Sequence, residues 1–236
     1  MYLYDTKNII SDGAATQHAK LENVTASTAR LSQPPFSVSR VLDIVIALVV
    51  LVFMAPAMLL IALLVKIQDG GPAVFRQTRI GYGGRSFKCL KFRTMVVDAE
   101  ARLQALLESD PRARREWACD QKLRSDPRIT ALGSFLRKSS LDELPQLFNV
   151  LRGEMSLVGP RPIVTDEAAK YGRWFGRYCA VRPGVTGLWQ ISGRNDVSYR
   201  QRVAYDVAFT RLQSTQLYLR ILVATIPAVF VRHGSY

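Results

Sequence analysis

Residues 41–66 read "VLDIVIALVVLVFMAPAMLLIALLVK" and form the longest apolar run in this chain of 236 residues. No charged side chain lies between Asp43 and Lys66. As a helix rising about 1.5 Å per residue, the uncharged part is roughly 33 Å long, close to the thickness of the hydrocarbon core of a bilayer. A helix buried in a soluble domain rarely stays apolar on every face for so long. The run therefore predicts a membrane helix.

Pro56 lies near the middle of this run. A proline removes one helical hydrogen bond and crowds the preceding turn, so a kink or a break is expected there. Basic residues mark the cytoplasmic side of a membrane segment, and Arg40 precedes the run while Arg76 and Arg79 follow it. A hairpin that enters and leaves through one leaflet fits these flanks. A single pass with the N-terminal tail outside fits nearly as well.

The overall charge points to anionic partners. The chain has 32 Lys and Arg against 19 Asp and Glu, a formal net charge of +13. Nucleic acid, phospholipid headgroups and phosphorylated substrates are the classes that such a surface attracts. His18 and His233 are the two histidines and lie near the termini, so neither a Ser-His-Asp triad nor a histidine metal site is expected. Three widely spaced cysteines predict a reducing compartment without a disulfide framework or a zinc site: Cys89, Cys119 and Cys179.

Around the apolar run, the pattern predicts a tail and one further domain. The N-terminal residues are rich in Ser, Thr, Ala, Gln and Asn and predict a disordered tail. "AVFRQTRIGYGGRSFKCLKFRTM" predicts a β-hairpin around a glycine-rich turn, and "DAEARLQALLESD" predicts a helix. The apolar stretch 217–231 contains Arg220 and Pro227 and is short, which is typical of a core helix or of one lying at a membrane interface.

"SLDELPQLFNVL", residues 140–151, places Asp142 and Glu143 side by side in this basic chain. Ser140 and Glu143 have the spacing of a capping box, and Pro145 favours a helix start near Asp142. Capping alone would explain the two acids. A helix N-terminus is also a place where backbone N–H groups bind phosphate. The pair therefore has a structural and a chemical interpretation.

The neighbouring basic residues favour chemistry. Arg137 lies just upstream of the acids, "GPRP" presents Arg161 between Pro160 and Pro162, and "KFRTM" adds Lys91 and Arg93. Magnesium commonly uses one or two carboxylates plus substrate phosphates, and a carboxylate can attack phosphorus. Metal-assisted phosphoryl transfer involving an anionic substrate is the chemistry this set supports. A membrane-anchored nucleic-acid-binding module is the alternative from another class, but it gives the acidic pair no role.

Three motifs carry a resemblance to a known family: "FKCLKFRTM", "DPRITALGSFLRKSSLDELPQLFNVLRGEMSLVGPRP" and "VRPGVTGLWQISGRNDVSY". From about Arg40 to Tyr236 the chain resembles the bacterial sugar transferases, the monotopic phosphoglycosyl transferases that initiate surface polysaccharide synthesis. It looks most like the exopolysaccharide-initiating members that handle galactose 1-phosphate. The resemblance implies transfer of a sugar 1-phosphate from a UDP-sugar to undecaprenyl phosphate, with release of UMP.

The resemblance also implies roles for individual residues. Asp142 would be the nucleophile and Glu143 the ligand of Mg²⁺. Arg137 matches a phosphate-binding arginine, and Pro160, Arg161 and Pro162 match a nucleotide-binding motif. Lys91 and Arg93 match basic positions with a looser substrate-binding role. Pro56 would break the membrane helix into a re-entrant hairpin, here preceded by Ala55 where several members have serine.

The expected fold is α+β and mostly helical. It comprises a disordered cytoplasmic tail at 1–38, a re-entrant membrane helix hairpin at 39–67 and a compact cytoplasmic catalytic domain at 68–236. That domain would contain a small β-hairpin and interfacial amphipathic helices. The implied partners are a UDP-sugar, undecaprenyl phosphate and the cytoplasmic leaflet of the bacterial inner membrane, with no nucleic acid and with a homodimer as an option. A scaffold that recruits the polysaccharide assembly machinery is a further, non-enzymatic alternative.

Overall fold

The structure is a computed structural model that describes residues 37–120, 123, 125–192 and 197–230. The predicted tail up to residue 36, both histidines and residues 193–196 of the third motif lie outside this part. The helices are α1 Val38–Asp69, α2 Ala99–Ser109, α3 Pro111–Asp120, α4 Ala131–Ser139, α5 Gln146–Arg152, α6 Thr165–Tyr171, α7 Phe175–Cys179, α8 Leu188–Ser192, α9 Tyr199–Arg211 and α10 Thr215–Phe230. The strands are β1 Val74–Ile80, β2 Ser86–Phe92, β3 Ser156–Val158 and β4 Gly184–Thr186. A mostly helical α+β fold is thus confirmed.

Helix α1 corresponds to the predicted membrane helix. It has 32 residues, and the next residue, Gly70, caps its C-terminal end in the left-handed conformation with φ 72°. Only 22% of its most apolar 18-residue window is buried, so it is not the core helix of a soluble domain. By length and composition it can cross a membrane. The helix continues through Pro56, so the predicted break into two helices is not present there, because a proline removes only the hydrogen bond to the carbonyl four residues earlier.

The N-terminal part of α1 is held on the rest of the chain by two charged residues. Arg40 Nη1 donates to the carbonyl of Val150, 2.8 Å away. Asp43 Oδ1 accepts hydrogen bonds from the backbone N–H of Leu157 at 2.8 Å, from Ser156 Oγ at 2.9 Å and from Tyr218 Oη at 2.8 Å. One buried carboxylate therefore joins α1 to β3 and α10.

The C-terminal end of α1 contacts the same domain through Arg93. This guanidinium forms a two-point ion pair with Asp69 and donates to the carbonyl of Val65 at 3.2 Å. Between the two contact regions the helix exposes apolar side chains, including Val52 at 69% and Phe53 at 75% exposure. Both ends of α1 thus lie on the rest of the described chain, while its apolar middle is exposed.

Strands β1 and β2 form the predicted antiparallel hairpin, with Gln77 opposite Cys89 and Ile80 opposite Ser86. A single 3₁₀ turn at Tyr82–Gly84 connects them. Gly83 there has φ 65°, a conformation that glycine adopts without strain. The hairpin carries Lys91 at the end of β2 towards the acidic pair.

A second, parallel pair of strands was not predicted. β3 and β4 pair with Ser156 opposite Gly184 and Val158 opposite Thr186, and the intervening residues cross over through α6 and α7. Each strand has only three residues, which is too short for an alternating pattern to be recognised in the sequence. This pair positions the loop that contains Arg161.

Three hydrophobic clusters fill the domain. The first packs the N-terminal half of α1 against β2, α5, β3, α9 and α10. The second joins the end of β1 to α6, α7 and α9, and the third packs the C-terminal half of α1 against Phe92 and Leu136. Leu144 and Met58 contact both the first and the third cluster. Leu144, the residue after the acidic pair, therefore packs between the two clusters that contact α1.

Candidate active site

Asp142 and Glu143 lie in a single 3₁₀ turn, Leu141–Glu143, between α4 and α5. Ser140 precedes it with φ 58° and ends α4 in the left-handed conformation. Its side chain makes no capping hydrogen bond, and α5 begins only at Gln146. The predicted capping box is therefore wrong, because the Glu143 side chain bonds to distant basic residues instead of to the start of a helix.

Two basic side chains converge on Glu143 from different parts of the fold. Lys91 Nζ donates to Glu143 Oε1 at 2.7 Å, and Arg161 Nη1 lies 3.3 Å from the same oxygen. Lys91 Nζ is also 3.9 Å from Asp142 Oδ2. The structure thus brings Lys91, Arg161 and both acids into one cluster.

The two carboxyl groups have opposite pKa shifts. Burial raises the pKa of Asp142 to about 6, with the Glu143 charge adding to the rise and Lys91 opposing it. Burial would also raise the pKa of Glu143, but the charges of Lys91 and Arg161 hold it at about 2. Glu143 is therefore the ionised partner of both basic groups. Asp142 is the carboxylate with the weaker contacts to cations, which leaves its oxygens available to a reacting group.

The Arg161 loop is fixed by its backbone. The N–H of Gly159 donates to Thr186 at 2.9 Å, and the N–H of Gly184 donates to the carbonyl of Pro160 at 2.8 Å. A Cβ on Gly184 would lie 2.1 Å from the backbone nitrogen of Gly159, so this approach requires glycine. The Arg161 side chain remains 39% exposed beyond its contact with Glu143, which allows it to receive an anion.

Pro162 ends this loop at β1. Arg79 Nη1 donates to the Pro162 carbonyl at 3.0 Å and lies 3.6 Å from Glu167 Oε2. The N–H of Ile80 donates to the carbonyl of Ile163 at 2.9 Å. Burial and the neighbouring Arg161 charge lower the pKa of Arg79, as expected for cations held close together.

Arg137 occupies the last turn of α4, close to the acidic pair. Its Nε donates to Thr94 Oγ1 at 2.9 Å. Burial lowers the pKa of Arg137, and the negative charge of Asp142 acts in the opposite direction. The predicted phosphate-binding arginine therefore lies beside the candidate nucleophile, oriented by a threonine.

Arg93 does not join this cluster. Its backbone N–H donates to Ala73 at 2.9 Å just beyond the end of β2, and its side chain pairs with Asp69 at the end of α1. Gly71 allows this arrangement, since a Cβ there would lie 2.3 Å from Arg93 Nη1. The structure places the Arg93 side chain against the end of α1, and its contact with substrate stays a prediction.

Sequence reasoning missed three residues that support the cluster: Arg79, Thr94 and Asn149. The signal for Asn149 was present, because an asparagine inside the apolar helix "QLFNVLR" must find hydrogen-bond partners when it is buried. The signals for Arg79 and Thr94 depend on contacts 83 and 43 residues away along the chain, which no local pattern contains.

The donor atoms at the acidic pair fit a magnesium ion that is shared with substrate. Within the described residues there is no group of three or more His, Cys, Asp or Glu side chains that could form an all-protein metal site. Mg²⁺ typically binds one or two carboxylates and completes its shell with phosphates and water. The described ion pairs of Glu143, with Lys91 and Arg161, both involve its Oε1 atom. The second oxygen of Glu143 and the oxygens of Asp142 are therefore carboxylate donors of the kind that Mg²⁺ binds.

Comparison with known proteins identifies the family. The sequence model of the family described as "Bacterial sugar transferase" matches residues 35–232. The chain is 51% identical over 197 residues to "Exopolysaccharide production protein ExoY" of Sinorhizobium fredii, covering 84% of this chain and 87% of that protein. It is 49% identical over 197 residues to "Undecaprenyl-phosphate galactose phosphotransferase" of Salmonella typhimurium, covering 84% of this chain but 41% of that longer protein.

A relative with a different sugar in its name is also similar. The chain is 41% identical over 207 residues to "UDP-glucose:undecaprenyl-phosphate glucose-1-phosphate transferase" of Caulobacter vibrioides, covering 84% of this chain and 71% of that protein. The family match spans α1, the acidic pair, the Arg161 loop and all of α10. This chain belongs to the bacterial sugar transferase family and is a transferase enzyme.

Proposed function

We propose that the protein transfers a sugar 1-phosphate, galactose 1-phosphate in the first instance, from a UDP-sugar to undecaprenyl phosphate and so initiates exopolysaccharide synthesis. The name of the Salmonella relative supports the reaction class and the sugar, and the name of the Sinorhizobium relative supports a role in exopolysaccharide production. The observation that carries the proposal is the buried Asp142 carboxyl beside a Glu143 that is already paired with Lys91 and Arg161.

In the first step, a carboxylate oxygen of Asp142 attacks the phosphorus that bears the sugar. A new bond forms between Asp142 and phosphorus, and the bond from phosphorus to the bridging oxygen of the diphosphate breaks. UMP leaves with that oxygen and its electron pair. Arg161 and Arg137 bind the phosphate groups and orient them for in-line displacement.

In the second step, a phosphate oxygen of undecaprenyl phosphate attacks the same phosphorus. The bond between phosphorus and Asp142 breaks and the carboxylate is regenerated. Lys91 lies within reach of both carboxyl groups and stabilises the negative charge that builds up around them. The product is an undecaprenyl diphosphate sugar.

We assign the binding of Mg²⁺ to Glu143 together with the substrate diphosphate. When bound, the ion neutralises charge on the diphosphate and on the leaving UMP. The ionised state of Glu143, maintained by Lys91 and Arg161, is the state that a metal ligand requires.

For the membrane helix we propose a re-entrant path through the cytoplasmic leaflet. The contacts of Asp43 and Asp69 with one domain support it, because both ends then lie on the same side of the membrane. The exposed apolar residues of α10 support an interfacial position for that helix: Leu219, Val223 and Ile226. This arrangement brings the acidic pair to the surface where the lipid phosphate lies.

The covalent step is tested by incubating the purified protein with UDP-galactose alone and measuring the mass of the peptide that contains Asp142. We expect a phosphosugar adduct on the wild-type protein and none on Asp142→Asn. The Asp142→Asn variant should retain membrane binding and thermal stability, since the amide keeps the shape of the side chain. An adduct-free wild type that still releases UMP when lipid is added would overturn the covalent mechanism.

The sugar is tested with a panel of UDP-sugars in membranes supplied with undecaprenyl phosphate. We expect the fastest UMP release with UDP-galactose. A preference for UDP-glucose would replace galactose by the sugar in the name of the Caulobacter relative and would leave the mechanism intact.

The membrane path is tested by labelling Ser37→Cys in intact cells in a cysteine-free background. An impermeant thiol reagent added outside should fail to label it, and labelling should succeed after the cells are broken. Replacing Pro56 with leucine restores a backbone N–H to the middle of α1 and favours a straight spanning helix. External labelling of Ser37→Cys in the chain that retains Pro56 would establish a single pass instead.

A further inference from the structure

Asn149 is fully buried in α5, six residues after Glu143, and its carboxamide makes three hydrogen bonds. Oδ1 accepts from the backbone N–H of Leu90 at 3.0 Å. Nδ2 donates to the carbonyl of Lys88 at 2.8 Å and to Glu154 Oε2 at 2.6 Å. One side chain thus bonds to the backbone on both sides of Cys89 in β2.

The two bonds from Asn149 to the backbone of β2 take the place of hydrogen bonds from a neighbouring strand. The sheet of β1 and β2 has two strands, so the outer edge of β2 presents backbone N–H and C=O groups that need partners when they are buried. A carboxamide has the donor and the acceptor of a peptide group side by side. Asn149 therefore pairs with β2 as a neighbouring strand would, and it attaches α5 rigidly to that edge.

The two elements that Asn149 joins are those that carry the cluster. Lys91 is the residue after Leu90, and the turn with Glu143 leads directly into α5. The 2.7 Å contact between Lys91 Nζ and Glu143 Oε1 is a second link between β2 and the segment that contains the acidic pair and α5. Movement of β2 along α5 would change this contact first.

We propose that Asn149 is a positioning residue for the phosphosugar transfer: its bonds to Lys88 and Leu90 set the register of β2 against α5 and thereby hold Lys91 at the acidic pair. This inference rests on the proposed function for its kinetic part. Asn149 touches no substrate and acts through Lys91. Substitution of Asn149 should therefore lower turnover more than it weakens the binding of the UDP-sugar.

The principal variant is Asn149→Asp, which keeps the size of the side chain and the acceptor for Leu90 but removes the donors to Lys88 and Glu154. We expect kcat to fall about 10²-fold, the scale for displacing a catalytic group by about an ångström, with KM for the UDP-sugar within about threefold. Glu154→Ala is the milder second variant, because it frees Nδ2 from one partner and leaves both strand bonds in place. Its kcat should fall less than that of Asn149→Asp.

A matched control separates positioning from general loss of stability. Val203→Ala truncates a buried side chain in the second hydrophobic cluster, away from β2 and α5. It should lower Tm while kcat per folded molecule stays unchanged. A fall in kcat of Val203→Ala that matches Asn149→Asp at equal loss of Tm would overturn the proposal.

A double-mutant cycle then tests whether the effect passes through Lys91. Adding Asn149→Asp to Lys91→Met should reduce kcat by less than about threefold beyond Lys91→Met alone, because residues acting as one unit are not additive. Independent losses that multiply would show a purely structural role and would contradict the positioning role.

A second readout needs no activity. The Lys91 amine is labelled with an amine-reactive ester, and its modification is measured by mass spectrometry relative to the exposed Lys138 of the same chain. Asn149→Asp should increase the relative labelling of Lys91, as Glu143→Gln does by removing its nearest partner. If the wild type releases no UMP from any UDP-sugar, the proposed function fails and labelling alone decides the positioning role. Unchanged labelling of Lys91 in Asn149→Asp would refute that role.

Discussion

Lys91 Nζ lies 2.7 Å from Glu143 Oε1, although 52 residues separate the two in the chain. Both side chains are largely shielded from water, at 22% and 19% exposure. This pair closes the β-hairpin over the turn that contains Asp142. It also places a positive charge where two carboxylates and an anionic substrate would otherwise repel one another.

Replacing Lys91 with methionine should reduce kcat/KM for UMP release about 10²- to 10³-fold, because a preorganised positive charge at the reacting phosphate is lost. Methionine preserves the apolar stem, so folding should be retained. Lys88→Met is the matched control on the same strand, since Lys88 is exposed and bonds to Thr78 Oγ1. Equal losses in the two variants would mean that net charge, and not the position of Lys91, is responsible.

Gly184→Ala should disturb the loop that presents Arg161. The added Cβ would meet the Gly159 backbone at 2.1 Å, and relieving such overpacking typically costs about 1–3 kcal/mol of stability. We expect a higher KM for the UDP-sugar and a lower Tm. Gly176→Ala is the control, because its Cβ would have no neighbour within 4 Å and alanine favours the helix. A normal KM for the UDP-sugar in a folded Gly184→Ala protein would show that this loop is not involved in nucleotide binding.

Arg93→Met should affect stability more than catalysis. Arg93 is buried but Asp69 is accessible to solvent, so the lost ion pair and the lost hydrogen bond to the Val65 carbonyl together should cost about 1–2 kcal/mol. Thermal unfolding in detergent should show this loss, with turnover per folded molecule within about twofold of the wild type. Arg102→Met, which breaks an exposed pair with Asp98, should leave Tm nearly unchanged. A strong loss of turnover in stable Arg93→Met protein would instead support the predicted contact of Arg93 with substrate.

Asp43→Ala should detach the N-terminal part of α1. It leaves a buried N–H and two hydroxyl groups without their acceptor, and each unsatisfied group costs about 1–3 kcal/mol. Tyr218→Phe removes one of these bonds and should cost about 1 kcal/mol. Chemical denaturation of the two variants in the same detergent provides the measurement. Similar small losses for both would indicate that the three bonds contribute little.

The buried carboxyl group of Asp206 should make the stability of the protein depend on pH. Burial raises the pKa of this carboxyl to about 7, while the hydrogen bond from Tyr171 and the charge of Arg202 oppose the rise. The native state therefore holds a proton that the unfolded chain releases near pH 4, and this stabilisation is lost as the pH rises through about 7. From about pH 5.5 to 8 the free energy of unfolding should fall by about 2 kcal/mol more than in Asp206→Asn. Parallel pH profiles for the two proteins would contradict a buried, protonated Asp206.

The sequence was sufficient for elements whose signal is local. The long apolar helix α1 follows from the uncharged residues between Asp43 and Lys66, and the hairpin follows from two strand-like runs around "GYGG". The cluster of Asp142 and Glu143 with Lys91 and Arg161 was also predicted, because motif resemblance supplied what spacing alone left open.

The capping box was wrong, and the partner of Arg93 was not foreseen, because both depend on tertiary contacts that a local pattern does not contain. Ser140 and Glu143 have capping-box spacing, yet the side chain of Glu143 is better satisfied by two cations. Arg93 is two residues from Lys91, but β2 ends at Phe92, between the two. The Arg93 side chain pairs with Asp69 at the end of α1. Neither outcome is encoded within a window of ten residues.

The direct contact between the backbones of Gly159 and Gly184 has one more consequence. Since no side chain mediates it, the course of the backbone that presents Arg161 does not depend on the size or polarity of neighbouring side chains. Side chains near this loop can therefore be exchanged without displacing the backbone that presents Arg161, and for protein engineering the loop is a fixed reference point.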